Sequence, residues 1–196
     1  MIAAEDVALI LLAAGRSERF GDRDKLEQPY LAEPIGFHVV TALEAVPFHT
    51  RIAVVSGTRL DYAARGYRVV VNDHPEQGQG GSLALGIAAL RTTGANAVLI
   101  ALADMPRVTA AHIYRLLDTA VGEAAVVASS DGVCPMPPAL FGAAHFDALS
   151  ALTGDAGARN LVRAGHHVVT SPAELVDIDT PEQLESLRQK ARGSAR

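Results

Sequence analysis

A short loop near the start of the chain combines glycine with positive charge. Residues 11–25 read LLAAGRSERFGDRDK, so that small side chains directly follow an apolar run. Alanine and glycine let backbone N–H groups approach an anion closely, as phosphate binding requires. The cations that would assist them are Arg16, Arg19 and Lys25. The spacing predicts a triphosphate-binding loop, with turn glycines beside a solvated basic surface as the alternative.

The loop matches neither of two common nucleotide motifs. GxxxxGK[ST] does not occur in it, and Gly15 and Gly21 have no third glycine to complete GxGxxG. A nicotinamide-dependent dehydrogenase, which the second motif would support, is therefore disfavoured.

Three aspartates follow apolar segments at positions suited to holding a cation. Asp104 comes after the apolar run Ala97 to Leu102, in the tetrapeptide ADMP. Asp177 and Asp179 alternate in DIDTPE, which places both on one side of an extended segment. Magnesium often takes one or two carboxylates and completes its shell with phosphates and water. We predict a Mg²⁺ site at Asp104, with Asp179 ahead of Asp177 as the second ligand. The alternatives are a turn or cap role for Asp104 and a helix-dipole role for the later pair.

Two further glycine-rich segments precede helical patterns. QGQGGS at residues 77–82 offers a backbone that can approach a flat base, and Ser82 can either contact that base or cap the helix. GDAGAR at residues 154–159 places Arg159 where it can bind a phosphate. In the alternative, Asp155 caps this helix and Arg159 is a surface cation.

Apolar runs rich in β-branched residues alternate with helical patterns along the chain. Strands are predicted at 7–12, 51–56, 68–71, 97–102 and 125–128. Helices are predicted at 36–45, 82–91, 109–120, 156–164 and 181–190. Runs that are apolar on both faces are typical of a parallel sheet covered by helices on both sides. We therefore expect a single-domain α/β fold with a mostly parallel, doubly wound sheet.

The last helix has the best-defined start. Thr180 is predicted as its N-cap, Pro181 as its first residue, and Gln183 as the partner that closes a capping box. The domain is expected to span residues 1–187, followed by a basic frayed tail at 188–196.

Composition narrows the class of protein. The 196 residues suffice for one domain with a continuous core, and 49% hydrophobic with 20% charged residues is ordinary for a globular protein. No run is long enough to span a membrane and no secretory signal is evident, so we expect a cytoplasmic protein. The formal net charge of −5 argues against broad nucleic-acid binding. The single cysteine, Cys134, excludes an internal disulfide and a cysteine-rich metal site.

Five segments in chain order resemble the molybdenum cofactor cytidylyltransferase family, within the wider group of sugar-type nucleotidyltransferases. They are LLAAGRSERFGDRDK, QGQGGS, ADMP, GDAGAR and DIDTPE, and the likeness spans roughly Val7 to Leu187. It implies a Rossmann-like nucleotidyltransferase fold that moves CMP from CTP to molybdopterin, the organic part of the molybdenum cofactor, and releases pyrophosphate. It also implies Mg²⁺ as cofactor, with Mn²⁺ as the alternative, and a molybdenum hydroxylase as client.

The resemblance assigns roles to particular residues. The nucleotide-binding positions it implies are Leu12, Ala13, Ala14, Gly15, Arg19, Lys25, Gly78 and Ser82. The catalytic positions are Arg19, Lys25 and Asp104, the metal ligands Asp104 and Asp179, and the acceptor-binding residues Asp155 and Arg159. The chain departs from the family pattern at two places. VCPMPP at 133–138 lacks a glycine ahead of its prolines, and Ala32-Glu33 stands where a glycine turn is usual.

Lysine, arginine and aspartate side chains suit the transfer of a nucleotidyl group from one phosphate to another. A phosphate monoester has a second pKa of about 6, so it is ionised near neutral pH and needs no general base. The difficulty is electrostatic, because two unit charges about 4 Å apart repel by about 4 kcal/mol at an effective dielectric near 20. A cation at Asp104, together with Lys25 and Arg19, would offset this repulsion and stabilise the departing pyrophosphate.

The choice of base and acceptor rests on finer details. Guanylyltransferases tend to have glycine at the position of Ala14, whose methyl group would crowd a purine, so CTP is expected to be preferred over GTP by about 1 to 3 kcal/mol. The alternatives are guanylyl transfer and transfer to another small phosphate such as a sugar phosphate or phospholactate. A non-enzymatic carrier that delivers the finished dinucleotide to a hydroxylase is a third.

Overall fold

A seven-stranded sheet runs through the middle of the protein, of which the computed structural model describes residues 1–154 and 157–193. The strands in chain order are β1 (Val7–Ala13), β2 (Pro29–Tyr30), β3 (Glu33–Pro34), β4 (Thr50–Val55), β5 (Arg68–Val71), β6 (Ala97–Leu102), β7 (Val126–Ser130), β8 (Pro135–Gly142) and β9 (His166–Val169). The large sheet has the order β5-β4-β1-β6-β8-β7-β9, and β2 and β3 form a separate hairpin. Its pairs are parallel except for those of β8 with β6 and β7, so the expected mostly parallel α/β class is confirmed.

Helices cover both faces of this sheet. They are α1 (Ile35–Ala42), α2 (Gly78–Leu90), α3 (Ala110–Thr119), α4 (Phe146–Ser150), α5 (Arg159–Ala164) and α6 (Pro181–Gly193). Strand β1 is buried along its whole length. Its residues Leu9 and Leu11 belong to one core with α1, α3 and α6, whereas Ile10 and Leu12 belong to a second core with α2, α4 and α5. Burial on both faces explains why this strand reads as an unbroken apolar run.

Strand β8 was not predicted, because its first half is rich in proline. Residues 139–141 pair with both β6 and β7, whereas Pro135 and Met136 pair with β7 alone. Proline has no N–H to donate, so it is tolerated in a strand where one edge is not paired. The short strands β2, β3 and β9 were also not predicted.

The capping box of α6 is confirmed. The backbone N–H of Gln183 donates to Thr180 Oγ at 3.3 Å, and that of Thr180 donates to Gln183 Oε1 at 2.9 Å. The helix continues past the predicted end to Gly193, and the Arg188 guanidinium donates to the carbonyl of Pro29. Residues 188–193 therefore form the end of α6. Within residues 1–154 and 157–193, no helix combines the length and apolar character needed to cross a bilayer.

Candidate active site

A cleft of about 480 Å³ opens at the carboxyl ends of β1 and β6. Leu12 and Leu102 line it near the ends of those two strands. Ligands of open α/β sheets bind at this edge, because loops and helix starts meet there. The cleft brings together most of the predicted nucleotide and metal site: Leu12, Ala14, Gly15, Arg19, Lys25, Gly78, Ser82, Asp104 and Asp179.

Lys25 lies at the centre of an ionic cluster in this cleft. Its Nζ donates to Asp104 Oδ2 at 2.6 Å and to Asp179 Oδ1 at 3.2 Å. The Arg19 guanidinium lies 3.3 Å from Asp179 Oδ2. Burial disfavours the charged ammonium, but the two carboxylates outweigh that effect and raise the pKa of Lys25 above its usual value. The fold thus gathers two cations and two carboxylates from three distant segments of the chain.

The loop that carries Lys25 is fixed by Ser17. Ser17 has a left-handed backbone, with φ of +50°. Its Oγ donates to Asp24 Oδ1 at 3.2 Å and accepts from the backbone N–H of Lys25 at 3.1 Å. Asp24 Oδ1 also accepts from the N–H of Leu26 at 2.9 Å. A non-glycine residue adopts such a φ only where its surroundings require it, so these bonds hold the backbone from which Lys25 reaches Asp104.

Asp104 presents an oxygen suited to a cation. The side chain is 18% exposed, and Oδ2 is occupied by Lys25. Its Oδ1 is buried and has no hydrogen-bond partner among the described residues. Such an oxygen is costly unless a cation or a donor satisfies it. The Asp104 carbonyl accepts from the N–H of Ile178 at 3.0 Å, which holds Asp179 at the same place. The two carboxylates therefore offer hard oxygen ligands that fit a divalent ion.

The first turns of α2 form another wall of the cleft. Gly78 begins the helix with φ of +81°, and Ser82 follows within the second turn. Ser82 therefore does not cap α2, and the capping alternative was wrong. Its buried Oγ accepts from Asn72 Nδ2 at 2.9 Å, while Asn72 Oδ1 accepts from the N–H of His74 at 2.9 Å. These bonds fix a hydroxyl group at the edge of the cleft.

A second cavity, of about 470 Å³, adjoins the cleft. The residues that line both are Leu12, Gln79, Leu102, Asp104 and Asp179. Apolar side chains from α2, β8 and α5 line much of the second cavity, including Leu83, Phe141 and Val162. Arg159 and Arg163, one helical turn apart on α5, add positive charge to it. We call this space the acceptor cavity.

The acceptor cavity contains residues that sequence analysis missed. Arg163 lies four residues after Arg159, so helical spacing alone could have indicated that both share one face. Cys134, directly before β8, and Met136 within it also line the cavity, and the sequence did not reveal β8 as a strand.

Two residues weighed for the nucleotide and metal site, Ala13 and Asp177, do not line the cleft. Ala13 packs into the core with Leu9 and Leu11, because alternate residues of a strand point to opposite faces, so its predicted place beside the nucleotide is corrected. Asp177 lines the acceptor cavity, where desolvation and then the charges of Asp179 and Asp104 raise its pKa. Asp155 lies outside the described residues.

Comparison with known proteins agrees with this geometry. Residues 9–169 match the family model of the MobA-like NTP transferase domain. The matched stretch includes the Lys25 loop, the start of α2 and Asp104. The protein is thus a nucleotidyltransferase by class. The chain belongs to the MobA-like NTP transferase family.

Relatives in this family carry different names. The chain is 32% identical to the purine catabolism protein PucB of Bacillus subtilis, with 92% of this chain and 95% of PucB covered. It is 28% identical to the nicotine blue oxidoreductase of Paenarthrobacter nicotinovorans, over 89% and 93% of the two chains. Identity to a molybdenum cofactor guanylyltransferase of Shewanella sediminis is 29%, over 92% and 94%.

Solved structures share the fold. Rv0371c of Mycobacterium tuberculosis superposes with a TM-score of 0.78 at 26% identity, covering 96% of this chain and 100% of that one. A structure of Rv0371C in complex with manganese superposes with a TM-score of 0.73 at 24% identity, covering 93% of this chain and 98% of that one. A nucleotidyl transferase from Methanothermobacter superposes with a TM-score of 0.77 at 22% identity, covering 96% of this chain and 98% of that one.

Proposed function

We propose that this protein transfers CMP from CTP to the terminal phosphate of molybdopterin and releases pyrophosphate. Mg²⁺ is the proposed divalent cofactor, with Mn²⁺ as the alternative. The observation that carries the proposal is the cluster of Lys25, Asp104 and Asp179 at the boundary between two cavities. A nucleotide in the cleft and a second phosphate-bearing substrate in the acceptor cavity would bring their phosphates together at this cluster.

The proposed reaction is a direct displacement. An oxygen of the acceptor phosphate attacks the α-phosphorus of CTP, and the new P–O bond forms as the bond to the pyrophosphate oxygen breaks. Pyrophosphate leaves with the electron pair, and no proton has to be removed because the second pKa of a phosphate monoester is about 6. Lys25 and Arg19, which line the cleft, are the residues proposed to neutralise the phosphates.

Asp104 and Asp179 are the residues proposed to hold the divalent ion. Asp104 Oδ1 has no partner in the described chain, and Asp179 shares Lys25 with Asp104. Among the described residues, no hydrogen bond or ion pair joins Asp177 to Lys25. When bound there, a divalent ion would neutralise charge shared between the two substrates. The remaining ligands would be water and phosphate oxygens, as is usual for Mg²⁺.

The acceptor cavity supports a substrate with a phosphate on an apolar or flat body. Arg159 is proposed to bind the acceptor phosphate, and apolar side chains such as Leu83 and Phe141 offer a surface for a ring. Asp155 stays a prediction as the second acceptor-binding residue. A molybdenum hydroxylase is the proposed recipient of the product.

The preference for CTP is proposed from Ala14, which lines the cleft. Its methyl group would crowd a purine, and a difference of this size is worth about 1 to 3 kcal/mol. Guanylyl transfer is the second candidate, because a relative at 29% identity is named a molybdenum cofactor guanylyltransferase. A carrier of the finished dinucleotide is the third candidate, and a relative at 32% identity is named a purine catabolism protein rather than a transferase.

The decisive test is mass analysis of the product after incubation with molybdopterin, MgCl₂ and either CTP or GTP. We expect a cytosine dinucleotide and pyrophosphate, with a higher kcat/KM for CTP. A preference for GTP would replace the base assignment by guanylyl transfer. If neither nucleotide yields a dinucleotide but preformed cytosine dinucleotide binds tightly, the carrier is the correct function.

A further inference from the structure

Gln79 is the neutral polar residue at the junction of the two cavities. Of the described residues that line both, Leu12 and Leu102 offer no hydrogen bond, and Asp104 and Asp179 carry negative charge. A carboxamide can donate two hydrogen bonds without adding charge. Gln79 is therefore the one side chain of this shared wall that can donate to a phosphate oxygen.

Gly157 defines the space around the Gln79 carboxamide. Gly157 has φ of +49°, and a Cβ added to it would lie 3.1 Å from Gln79 Oε1 and 3.8 Å from Gln79 Cδ. That contact is tighter than most Cβ contacts, so the carboxamide would have to shift by a few tenths of an ångström to admit a side chain at Gly157. A glycine at this position lets Gln79 keep its place on the shared wall.

Gly154 is tied to the start of α2 by backbone hydrogen bonds. The N–H of Gly80 donates to the carbonyl of Gly154 at 2.8 Å, and the N–H of Gly154 donates to the carbonyl of Gln77 at 3.1 Å. A Cβ at Gly80 would lie 2.8 Å from the Thr153 carbonyl carbon, so the two segments can meet only without a side chain there. Gln77 and Gly80, which flank this part of α2, thus pack on Thr153 and Gly154, close to Gln79.

We propose that the Gln79 side-chain amide donates a hydrogen bond to a nonbridging oxygen of the phosphoryl group being transferred, and that Gly157 positions it. This inference rests on the proposed nucleotidyl transfer. The acceptor oxygen forms its bond to phosphorus, pyrophosphate leaves with the electron pair, and Gln79 keeps its protons. A hydrogen-bond donor aimed at the nonbridging oxygens of the phosphorus under attack stabilises the transition state more than it stabilises the bound substrates.

Substitution of Gln79 by methionine tests the donor. Methionine has a similar length and no N–H, so Gln79→Met is expected to lower kcat by about 100-fold while changing the KM of either substrate little. A kcat within about twofold of the wild-type value would overturn the role of Gln79.

Gly157→Ala tests the positioning role, and Gly154→Ala is its matched control. Both glycines have left-handed backbones, with φ of +49° and +69°, so alanine strains both in the same way. A Cβ at Gly154 meets nothing within 4 Å, whereas one at Gly157 meets Gln79. We expect Gly157→Ala to lower kcat by about 10-fold more than Gly154→Ala, and to have no further effect in a Gln79→Met background. Equal effects of the two alanines would refute the positioning role.

A direct spectroscopic readout separates this inference from the proposed function. The side-chain amide resonances of Gln79 are identified in ¹⁵N-labelled protein by their loss in Gln79→Met. They are expected to shift when CTP and MgCl₂ are added together, and to shift less in Gly157→Ala. If no acceptor yields a dinucleotide but the resonances shift, the proposed function fails while the contact stands. If wild-type protein turns over but the resonances do not move, the contact is refuted.

Discussion

At the scale of single residues, the charge balance of the cluster explains how a cation could enter it. Lys25 and Arg19 carry two positive charges, which Asp104 and Asp179 balance. A divalent ion on the carboxylates therefore competes with Lys25 for the negative charge of the same two side chains. Phosphates that attract Lys25 remove this competition, so nucleotide and divalent ion are expected to bind with positive coupling.

Removal of the lysine charge should make this competition visible. In Lys25→Met, the two carboxylates lose their cation, so MgCl₂ or MnCl₂ alone should raise the melting temperature more than it does in the wild type. Thermal unfolding with and without the salt measures this difference, and Arg23→Met controls for loss of a loop cation outside the ionic cluster. An equal rise in both variants would show that Lys25 does not compete.

Loss of the Asp104 carboxylate should abolish the divalent-ion dependence of turnover. Asp104→Asn keeps the shape of the side chain, and we expect kcat to fall by about 100-fold or more while the circular dichroism spectrum stays native. Asp118→Asn, at an exposed position of α3, is the control and should be neutral. Near-normal turnover of Asp104→Asn would remove Asp104 from the mechanism.

The sequence contained the signals for the ionic cluster but not for the contacts around it. Lys25 and Asp104 were found because a glycine-rich loop and a carboxylate after a buried strand are local patterns. Gln79 was not singled out, because its importance depends on Gly157, 78 residues further along the chain. Contacts of this kind follow from how elements dock, and no local pattern records them.

At the scale of secondary structure, the start of α6 links the helix to the site. Gln183 Oε1 accepts from the N–H of Thr180 and also from that of Asp179, at 2.7 Å. Gln183→Ala is expected to lower the free energy of unfolding by about 1 kcal/mol and to weaken divalent-ion-dependent turnover, because Asp179 is no longer held. Urea unfolding and a MgCl₂ titration measure the two effects. Gln189→Ala, which removes the same side chain away from the cap, should change neither.

Helix α3 contributes a pH-sensitive contact to the core. Burial lowers the pKa of His112 below its usual value of 6.5. The negative charge of Glu174 opposes this shift, and the positive charge of Arg115 adds to it. His112 Nε2 lies 2.7 Å from Ser129 Oγ, which donates to the Pro138 carbonyl at 2.7 Å, and Nδ1 has no partner among the described residues. Any proton taken up at Nδ1 would therefore be buried without an acceptor.

The protein should lose stability in acid through this histidine. Because the folded pKa lies below the unfolded one, the unfolded chain binds the proton first, so stability is full above about pH 6.5 and declines as the pH falls toward the folded value. Urea unfolding at about pH 7.5 and about pH 5.5 measures the decline, which should be smaller in His112→Gln. The same decline in both proteins would exclude His112 as its source.

Strands were predicted correctly where burial on both faces gives an apolar run, and β8 was missed because prolines interrupt its sequence. β1 and β6 are buried on both faces, so their apolar runs were recognisable. β8 has prolines in the half that pairs only with β7, and this half lines the acceptor cavity. The part of β8 whose sequence is unlike that of a strand is therefore the part that lines the cavity.

At the scale of the whole molecule, the end of α6 is part of the fold. Leu184 and Leu187 are buried, and Arg188 bonds to the carbonyl of Pro29 across the chain. Truncation after Leu187 is expected to lower stability by about 1 kcal/mol, or about 2 to 4 °C in melting temperature, whereas truncation after Gly193 should change it little. Calorimetry of the two truncated proteins tests this, and equal melting temperatures would show that residues 188–193 contribute nothing.

The two cavities have walls from different parts of the fold, because the antiparallel strand β8 lines only one of them. Parallel strands β1 and β6 and the start of α2 supply the nucleotide cleft, while the acceptor cavity also draws on the first half of β8 and on α5. Under the proposed transfer, changes at residues 133–138 would alter which molecule receives the nucleotide without disturbing Lys25 or Asp104. The proposed chemistry would then be redirected to new recipients by remodelling the single hairpin of β7 and β8.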